Sequence, residues 1–107
     1  MDRNRVRPPF ITETGMIVRI GDINFDRVDY DRDVDVLYLH VGDPSTAVDF
    51  DGTPEGHHVR FDKDGNLVGI TLLHPKMLLD EDGKITITIP ERVEVGHEAL
   101  DEVLAAA

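Results

Sequence analysis

The chain of 107 residues contains no cysteine and no tryptophan. Without cysteine there is no disulfide framework, no thiolate metal site, no cysteine nucleophile and no thiol redox chemistry. Small secreted domains usually depend on disulfides, so this absence favours a cytoplasmic protein. Aromatic residues make up only 6% of the chain, and we therefore expect a core built mainly from Val, Ile and Leu.

Basic residues are also scarce, with 11 Lys and Arg against 22 Asp and Glu, which gives a formal net charge of -11. A negative field of this size repels phosphate backbones and anionic lipids, so the sequence argues against nucleic acid or a membrane as the main partner. It favours a basic protein partner or a cation, although surplus surface carboxylates also simply keep a protein soluble.

A long apolar run is missing as well. The arginines near the start, Arg3, Arg5 and Arg7, are not followed by an apolar stretch. We therefore expect neither a signal peptide nor a membrane span.

The length fits a single domain. Residues 1–14 are predicted to form a flexible N-terminal arm, because Pro8 and Pro9 prevent a helix and no periodicity is visible. Residues 15–107 are predicted to form a single β-rich domain with a C-terminal helix.

Short alternating apolar segments separated by Gly and Asp turns predict strands. The strongest covers residues 34–41 and is apolar on both faces, which is typical of a central strand. The Asp-Gly turn of residues 62–66 predicts a hairpin between residues 57–61 and 67–73. Residues 84–89 alternate strictly, as in a half-buried antiparallel strand. The fold class is therefore α+β, mostly β: a small antiparallel sheet of short hairpins with a C-terminal amphipathic helix.

The predicted helix covers residues 96–106 and places Leu100, Val103 and Leu104 on one face. A helix this short is marginal alone, so these residues must pack on the sheet or on a partner. We take all three as candidate interaction residues.

Two blocks resemble a known family. Residues 30–39, YDRDVDVLYL, are similar to the opening of the bacterial domain-of-unknown-function 2283 family, and residues 59–70, VRFDKDGNLVGI, resemble its following hairpin. The resemblance covers roughly residues 28–74. It implies a compact β-rich domain of small bacterial proteins, some regarded as antitoxin-like partners of small toxins. It implies no catalytic residue.

A run of alternate aspartates suggests a cation site. Residues two apart in an extended chain share a face, so the carboxylates of this run could converge on a divalent cation. Arg27 and Arg32 can neutralise them locally, and a solvated turn explains the same residues without a ligand. The run comprises Asp29, Asp31, Asp33 and Asp35.

His57 and His58 form the densest histidine cluster. Adjacent strand residues point to opposite faces, so the two are poor co-ligands of one ion, although either could meet a carboxylate across the sheet. With Asp31, Asp33 and Tyr38 they complete our candidate interaction residues.

Catalytic signatures are weak. Ser45 is the only serine, it follows Pro44 in a turn, and no nucleophile elbow surrounds it, although His40 could serve as a base. The glycines all mark turns, so no phosphate-binding loop is present. We assign no catalytic residue, no metal ligand and no cofactor.

The leading hypothesis is a non-enzymatic protein–protein interaction module, with an antitoxin-like role as one form of it. Exposed sheet edges and a small core favour a homodimer, and the acidic charge favours a basic protein as an alternative partner. A small-ligand or divalent-cation binding module that uses the Asp and His clusters is the second hypothesis. A hydrolase-like enzyme is the third.

Overall fold

The computed structural model describes residues 11–13, 16–89 and 91–106; for residues 11–13, 91 and 106 it describes the backbone alone. The strands of this part are β1 (Ile11–Glu13), β2 (Val18–Ile20), β3 (Ile23–Phe25), β4 (Arg27–Asp31), β5 (Val36–His40), β6 (Asp49–Gly52), β7 (His58–Phe61), β8 (Leu67–Leu73), β9 (Lys84–Ile89) and β10 (Glu91–Gly96). The helices are α1 (Pro75–Asp82) and α2 (His97–Ala106), and a 3-10 turn covers Pro44–Thr46.

All strand pairing in this part of the chain is antiparallel. Six strands form the main sheet in the order β1-β4-β5-β8-β7-β6, while β9 with β10 and β2 with β3 form separate hairpins. This arrangement, with α2 at the end, confirms the predicted α+β class and its β-rich character. No helix among the described residues is long and apolar enough to cross a membrane.

The structure differs from the prediction at two boundaries. Residues 11–13, assigned to the flexible arm, form β1 and pair with β4, while residues 1–10 and 14 of that arm lie outside the described residues. The central strand begins at Val36 instead of Val34, because residues 32–35 form a turn and Asp35 adopts a left-handed conformation with φ 55°. That φ ends the extended chain before β5 starts.

The core lies on one face of the main sheet. Leu37 and Leu39 of β5 and Ile70 and Leu72 of β8 point into it and are fully buried. These four residues share one side of the sheet, because successive strand residues alternate sides. The hairpins and α2 cover that side. The covering residues are Val18, Ile20, Phe25, Ile85, Ile87, Val95, Leu100 and Val103.

Asp35 ties the main sheet to α1. Its Oδ1 accepts a hydrogen bond from the Tyr30 hydroxyl at 2.7 Å and from the backbone N–H of Lys76 at 3.1 Å, and its Oδ2 accepts one from the N–H of Met77 at 3.1 Å. Its backbone carbonyl accepts the N–H of His74 at 2.7 Å. The helix thus begins on a carboxylate supplied from the turn between β4 and β5.

This remote cap replaces a local one. His74 occupies the N-cap position of α1 with φ 57° and makes no side-chain capping bond of its own. Free N–H groups at a helix start need an acceptor, and a carboxylate also suits the positive end of the helix dipole. Burial, followed by the hydrogen bond to Asp35, raises the pKa of the Tyr30 hydroxyl, which keeps it protonated and donating.

Replacing Asp35 should therefore destabilise the protein strongly. We expect Asp35→Ala to lower the free energy of unfolding by about 2–4 kcal/mol, because it removes a helix cap and an acceptor for the buried tyrosine hydroxyl. Asp33→Ala, in the same turn but with an exposed side chain, should change it by less than about 0.5 kcal/mol. Urea denaturation of both variants measures this; equal losses would contradict the role given to Asp35.

Candidate functional site

The side of the main sheet opposite the core carries a mixed polar and aromatic surface, which we call the open face. Strand register arranges it in two rows: Tyr38, Thr71 and His58 in one, and His40, Gly69, Arg60 and Phe50 in the other. Tyr38 and His58 are exposed, whereas their strand neighbours on the core side are buried; Phe50 is also exposed, on β6, where every residue is exposed. Within the described residues this face is therefore open to solvent.

Arg60 lies flat across the open face. Its Nη1 donates to the Thr71 hydroxyl at 2.8 Å and its Nη2 donates to the backbone carbonyl of Leu39 at 3.2 Å. The side chain therefore reaches from β7 over β8 to β5. Burial lowers the pKa of this guanidinium, and the nearby Tyr38 opposes that shift. Arginine nevertheless stays charged in proteins, so the open face carries a partly desolvated cation.

Gly69 makes room for this arrangement. A Cβ at position 69 would lie 2.5 Å from Nε and 2.9 Å from Nη2 of Arg60, and 2.9 Å from Cδ2 of His40. No other side chain fits there while Arg60 keeps its place, since such separations are far below van der Waals contact. Glycine inside a strand weakens it, so its presence here marks a close approach.

His40 is buried beside Arg60, with 6% of its surface exposed. Its Nδ1 lies 3.0 Å from the carbonyl oxygen of Val41, which can only accept, so Nδ1 carries a proton. Its Nε2 is buried and has no hydrogen-bond partner among the described residues. An unpaired buried nitrogen costs free energy and is uncommon in native proteins.

Aromatic side chains complete the open face. Phe50 is 71% exposed on β6, an edge strand of the main sheet, and Tyr38 is 37% exposed near its centre. Val48, two residues before Phe50, is 55% exposed. Exposed apolar groups that gather around polar ones are typical of interaction surfaces.

The two predicted histidine candidates separate. His58 is exposed on the open face, whereas His57 is 2% exposed on the other side. Nδ1 of His57 accepts the backbone N–H of Leu73 at 3.1 Å, and the backbone N–H of His57 donates to the Thr53 hydroxyl at 3.1 Å. Burial lowers the pKa of the His57 imidazole, so it is a neutral acceptor that joins the start of β7 to the end of β8.

The aspartate run does not share one face. Asp31 is 2% exposed and its Oδ1 accepts the N–H of Asp33, while the Asp35 carboxylate is engaged by Tyr30 and α1. The extended geometry behind the cation hypothesis ends at Asp31, so the hypothesis was wrong on this point. The described residues contain no group of three or more His, Asp or Glu side chains that could hold a metal ion.

The C-terminal helix packs on its own domain. Leu100 and Val103 are 0% and 2% exposed in the core, and Leu104 is half-buried against it. We therefore correct the assignment of Leu100 and Val103 as interaction residues, because their apolar surface is already removed from water. The sequence left open whether these residues pack on the sheet or on a partner. In the structure they pack on the sheet of their own chain.

A cleft of about 330 Å³ between α1 and α2 holds a histidine beside a carboxylate, a pair that could suit acid–base chemistry. His97 lies with Nδ1 2.8 Å from Asp101 Oδ1 and with Nε2 3.1 Å from the carbonyl oxygen of Leu79. Asp101 raises the pKa of this imidazole. Both ring nitrogens are occupied and the lining contains no hydroxyl, so the pair joins two helices and forms no nucleophile–base system.

Arg60, Gly69 and Phe50 were missed by the sequence reasoning. Arg60 could have been noticed as a charged residue between the apolar Val59 and Phe61. Gly69 could have been noticed as a glycine inside an apolar strand. Their meeting depends on a register shift between Arg60 and Phe61, which sets Gly69 opposite Arg60.

Comparison with known proteins finds a match to a family model over part of the chain. Residues 27–76 match the family described as "Protein of unknown function (DUF2283)". This confirms the resemblance over that segment. The segment runs from β4 into the first turn of α1 and contains the open-face residues Arg60, Gly69 and Thr71. No curated protein and no solved structure matches the chain.

The position of His57 predicts a pH dependence of stability. Its pKa is lower in the folded state than the ordinary value near 6.5, so the unfolded state binds more protons in the window below that value. Stability from this group is present at pH 7 and is lost as the pH falls through this window. In His57→Asn the amide oxygen can still accept the Leu73 N–H but does not titrate. The difference in the free energy of unfolding between the native protein and this variant, measured by urea denaturation, should become smaller from pH 7 to pH 5.

His58→Asn serves as the matched control, because its exposed side chain makes no such bond. Its pH curve should stay close to that of the native protein, because burial, the main cause of the lowered His57 pKa, is unchanged. A constant gap for His57→Asn over the same range would contradict the buried neutral acceptor.

The contact of Arg60 with Gly69 predicts coupled stabilities. Gly69→Ala should lower the free energy of unfolding by about 1–3 kcal/mol through overpacking. In an Arg60→Ala background the same change should cost less, since only the His40 contact remains to be relieved. A double-mutant cycle by thermal melting measures this; additive losses would show that the two residues do not touch.

Proposed function

We propose that this protein is a non-enzymatic protein–protein interaction module and that the open face is its binding surface. The observation that carries the proposal is the contrast between the two sides of the main sheet. One side is sealed by hairpins and α2, whereas the other presents Tyr38, Phe50 and a half-buried arginine to solvent. Tyrosine and arginine are enriched in interface hot spots.

The chemistry of the open face favours a second copy of the chain as the partner. Docking would desolvate Arg60 further, so the partner must bring carboxylates, and this chain carries 22 acidic residues against 11 basic ones. A two-fold axis along the strands over β5 and β8 would also set β4 of one copy against β7 of the other. Asp29 on β4 projects from this same face in the row of Tyr38, one row from Arg60, and Arg27 holds the β4 position in the row of Arg60.

A basic partner, including the basic toxin of an antitoxin-like role, fits the net charge of -11 but fits the open face less well. Arg60 would meet like charge there, which opposes docking. The cation-binding hypothesis has less support, because two of its four aspartates, Asp31 and Asp35, already accept hydrogen bonds within the chain.

Native mass spectrometry of untagged protein from its own cells tests the proposal. We expect a species of twice the chain mass. Phe50→Asp should abolish it by placing a charge within the interface. Met77→Asp, a matched change at an exposed apolar residue on α1, should leave it intact.

Three other results would contradict the proposal in different ways. A clean monomer with no added mass would remove the interaction module itself. A dimer that survives Phe50→Asp but not Met77→Asp would move the interface away from the open face, and a stoichiometric basic protein would replace the second copy as the partner.

A further inference from the structure

Arg60 holds an unusual position in so acidic a chain. Among the described residues no carboxylate lies within ion-pairing distance of its guanidinium, although acidic residues outnumber basic ones two to one. Other arginines have such neighbours; Arg92 Nη2, for example, lies 3.8 Å from Glu94. A partly buried cation without a counter-ion is costly, and this side chain is nonetheless held in place by Thr71, Leu39 and the bare surface of Gly69.

Neutral groups provide all of its support. The Thr71 hydroxyl and the Leu39 carbonyl accept two of the five guanidinium N–H bonds, and no other acceptor in the described part of the chain takes the remaining three. These contacts orient the planar group without neutralising it. A guanidinium oriented in this way can offer two parallel N–H bonds to a planar anion.

Beside it, Nε2 of His40 is buried and unpaired. Nε of Arg60 and Cδ2 of His40 both lie within 3 Å of the position that a Cβ on residue 69 would occupy. The guanidinium and the imidazole are therefore neighbours. The polar groups of this region are therefore incompletely satisfied by the chain itself. With the proton on Nδ1, Nε2 of a neutral imidazole can only accept a hydrogen bond, so the case for an anion rests on the oriented, unneutralised guanidinium of Arg60.

We propose that Arg60 is a carboxylate-binding residue of the open face, positioned by Thr71, Leu39 and Gly69. A carboxylate fits better than a phosphate, because the site has one oriented guanidinium and the net charge of -11 repels a dianion more strongly than a monoanion. The carboxylate comes either from a docked protein, which rests on the proposed function, or from a small free acid.

Nuclear magnetic resonance on the native protein tests the site without requiring a dimer. The probe is sodium acetate, titrated at constant ionic strength against sodium chloride into dilute ¹⁵N-labelled protein. The Nε–H signal of Arg60 should shift saturably, by at least roughly three times the shift of Arg19 in the same spectrum. Arg19 is an exposed arginine whose Nη1 bonds Asn24, and it serves as an internal control.

A Gly69→Ala variant keeps Arg60 but fills the space above residue 69 in which its guanidinium lies. Its Cβ would displace the guanidinium, so the acetate shift at Arg60 should fall to the level of Arg19 while the spectrum of the core remains dispersed. An unchanged saturable shift in Gly69→Ala would overturn the claim that positioning creates the site.

Sedimentation equilibrium then identifies the source of the carboxylate. If a docked copy supplies it, Arg60→Gln should raise the dimer dissociation constant about tenfold or more, acetate should compete with the dimer, and Arg19→Gln should have no effect. If acetate binds while self-association is absent or unaffected, the source is a free acid. In that case the carboxylate site stands, and any failure of the proposed function shows separately.

No saturable shift at Arg60, together with a dimer indifferent to Arg60→Gln or no dimer at all, would overturn the inference. A dimer that is sensitive to Phe50→Asp but not to Arg60→Gln, in a protein that binds no acetate, would retain the proposed function and remove the carboxylate site alone.

Discussion

The carboxylate of Asp35 connects three parts of the chain: the turn before β5, the hydroxyl of Tyr30 five residues earlier, and the first N–H groups of α1, 41 and 42 residues later. The left-handed backbone at Asp35 ends the extended run and starts β5 in its observed register. The side chain then fixes where α1 begins, and α1 delivers Leu79 to the core. One residue thus sets both the phase of the central strand and the placement of a helix, and the division of the sheet into core face and open face depends on that phase.

That division explains the chemistry of the open face. A strand alternates its side chains, so every residue of β5, β7 and β8 that does not serve the core must lie on the opposite side. There the chain places Tyr38, Thr71 and Arg60 around a glycine. Because the apolar core lies on the other side, these residues contribute little to hydrophobic stability.

The fold class was predictable because its signals are local: alternation within strands, Asp-Gly at the hairpin of residues 62–66, and an apolar stripe on the last helix. The role of Asp35 was not predictable, since its partner N–H groups lie 41 and 42 residues away and its φ breaks the alternation that the prediction extended. The pairing of Arg60 with Gly69 was hidden for a related reason. Counting back from the hairpin turn sets Arg60 opposite Val68, and the irregularity between Arg60 and Phe61 moves it by one residue.

The family match has a physical consequence when set against the core. The matched segment, residues 27–76, supplies the sheet residues Leu37, Leu39, Ile70 and Leu72, but β2, β3, β9, β10 and α2, which seal them, lie outside it. Taken alone, the segment would form a sheet with one apolar face exposed to solvent. A protein that carries this sheet therefore needs further elements that shield the same four side chains from water.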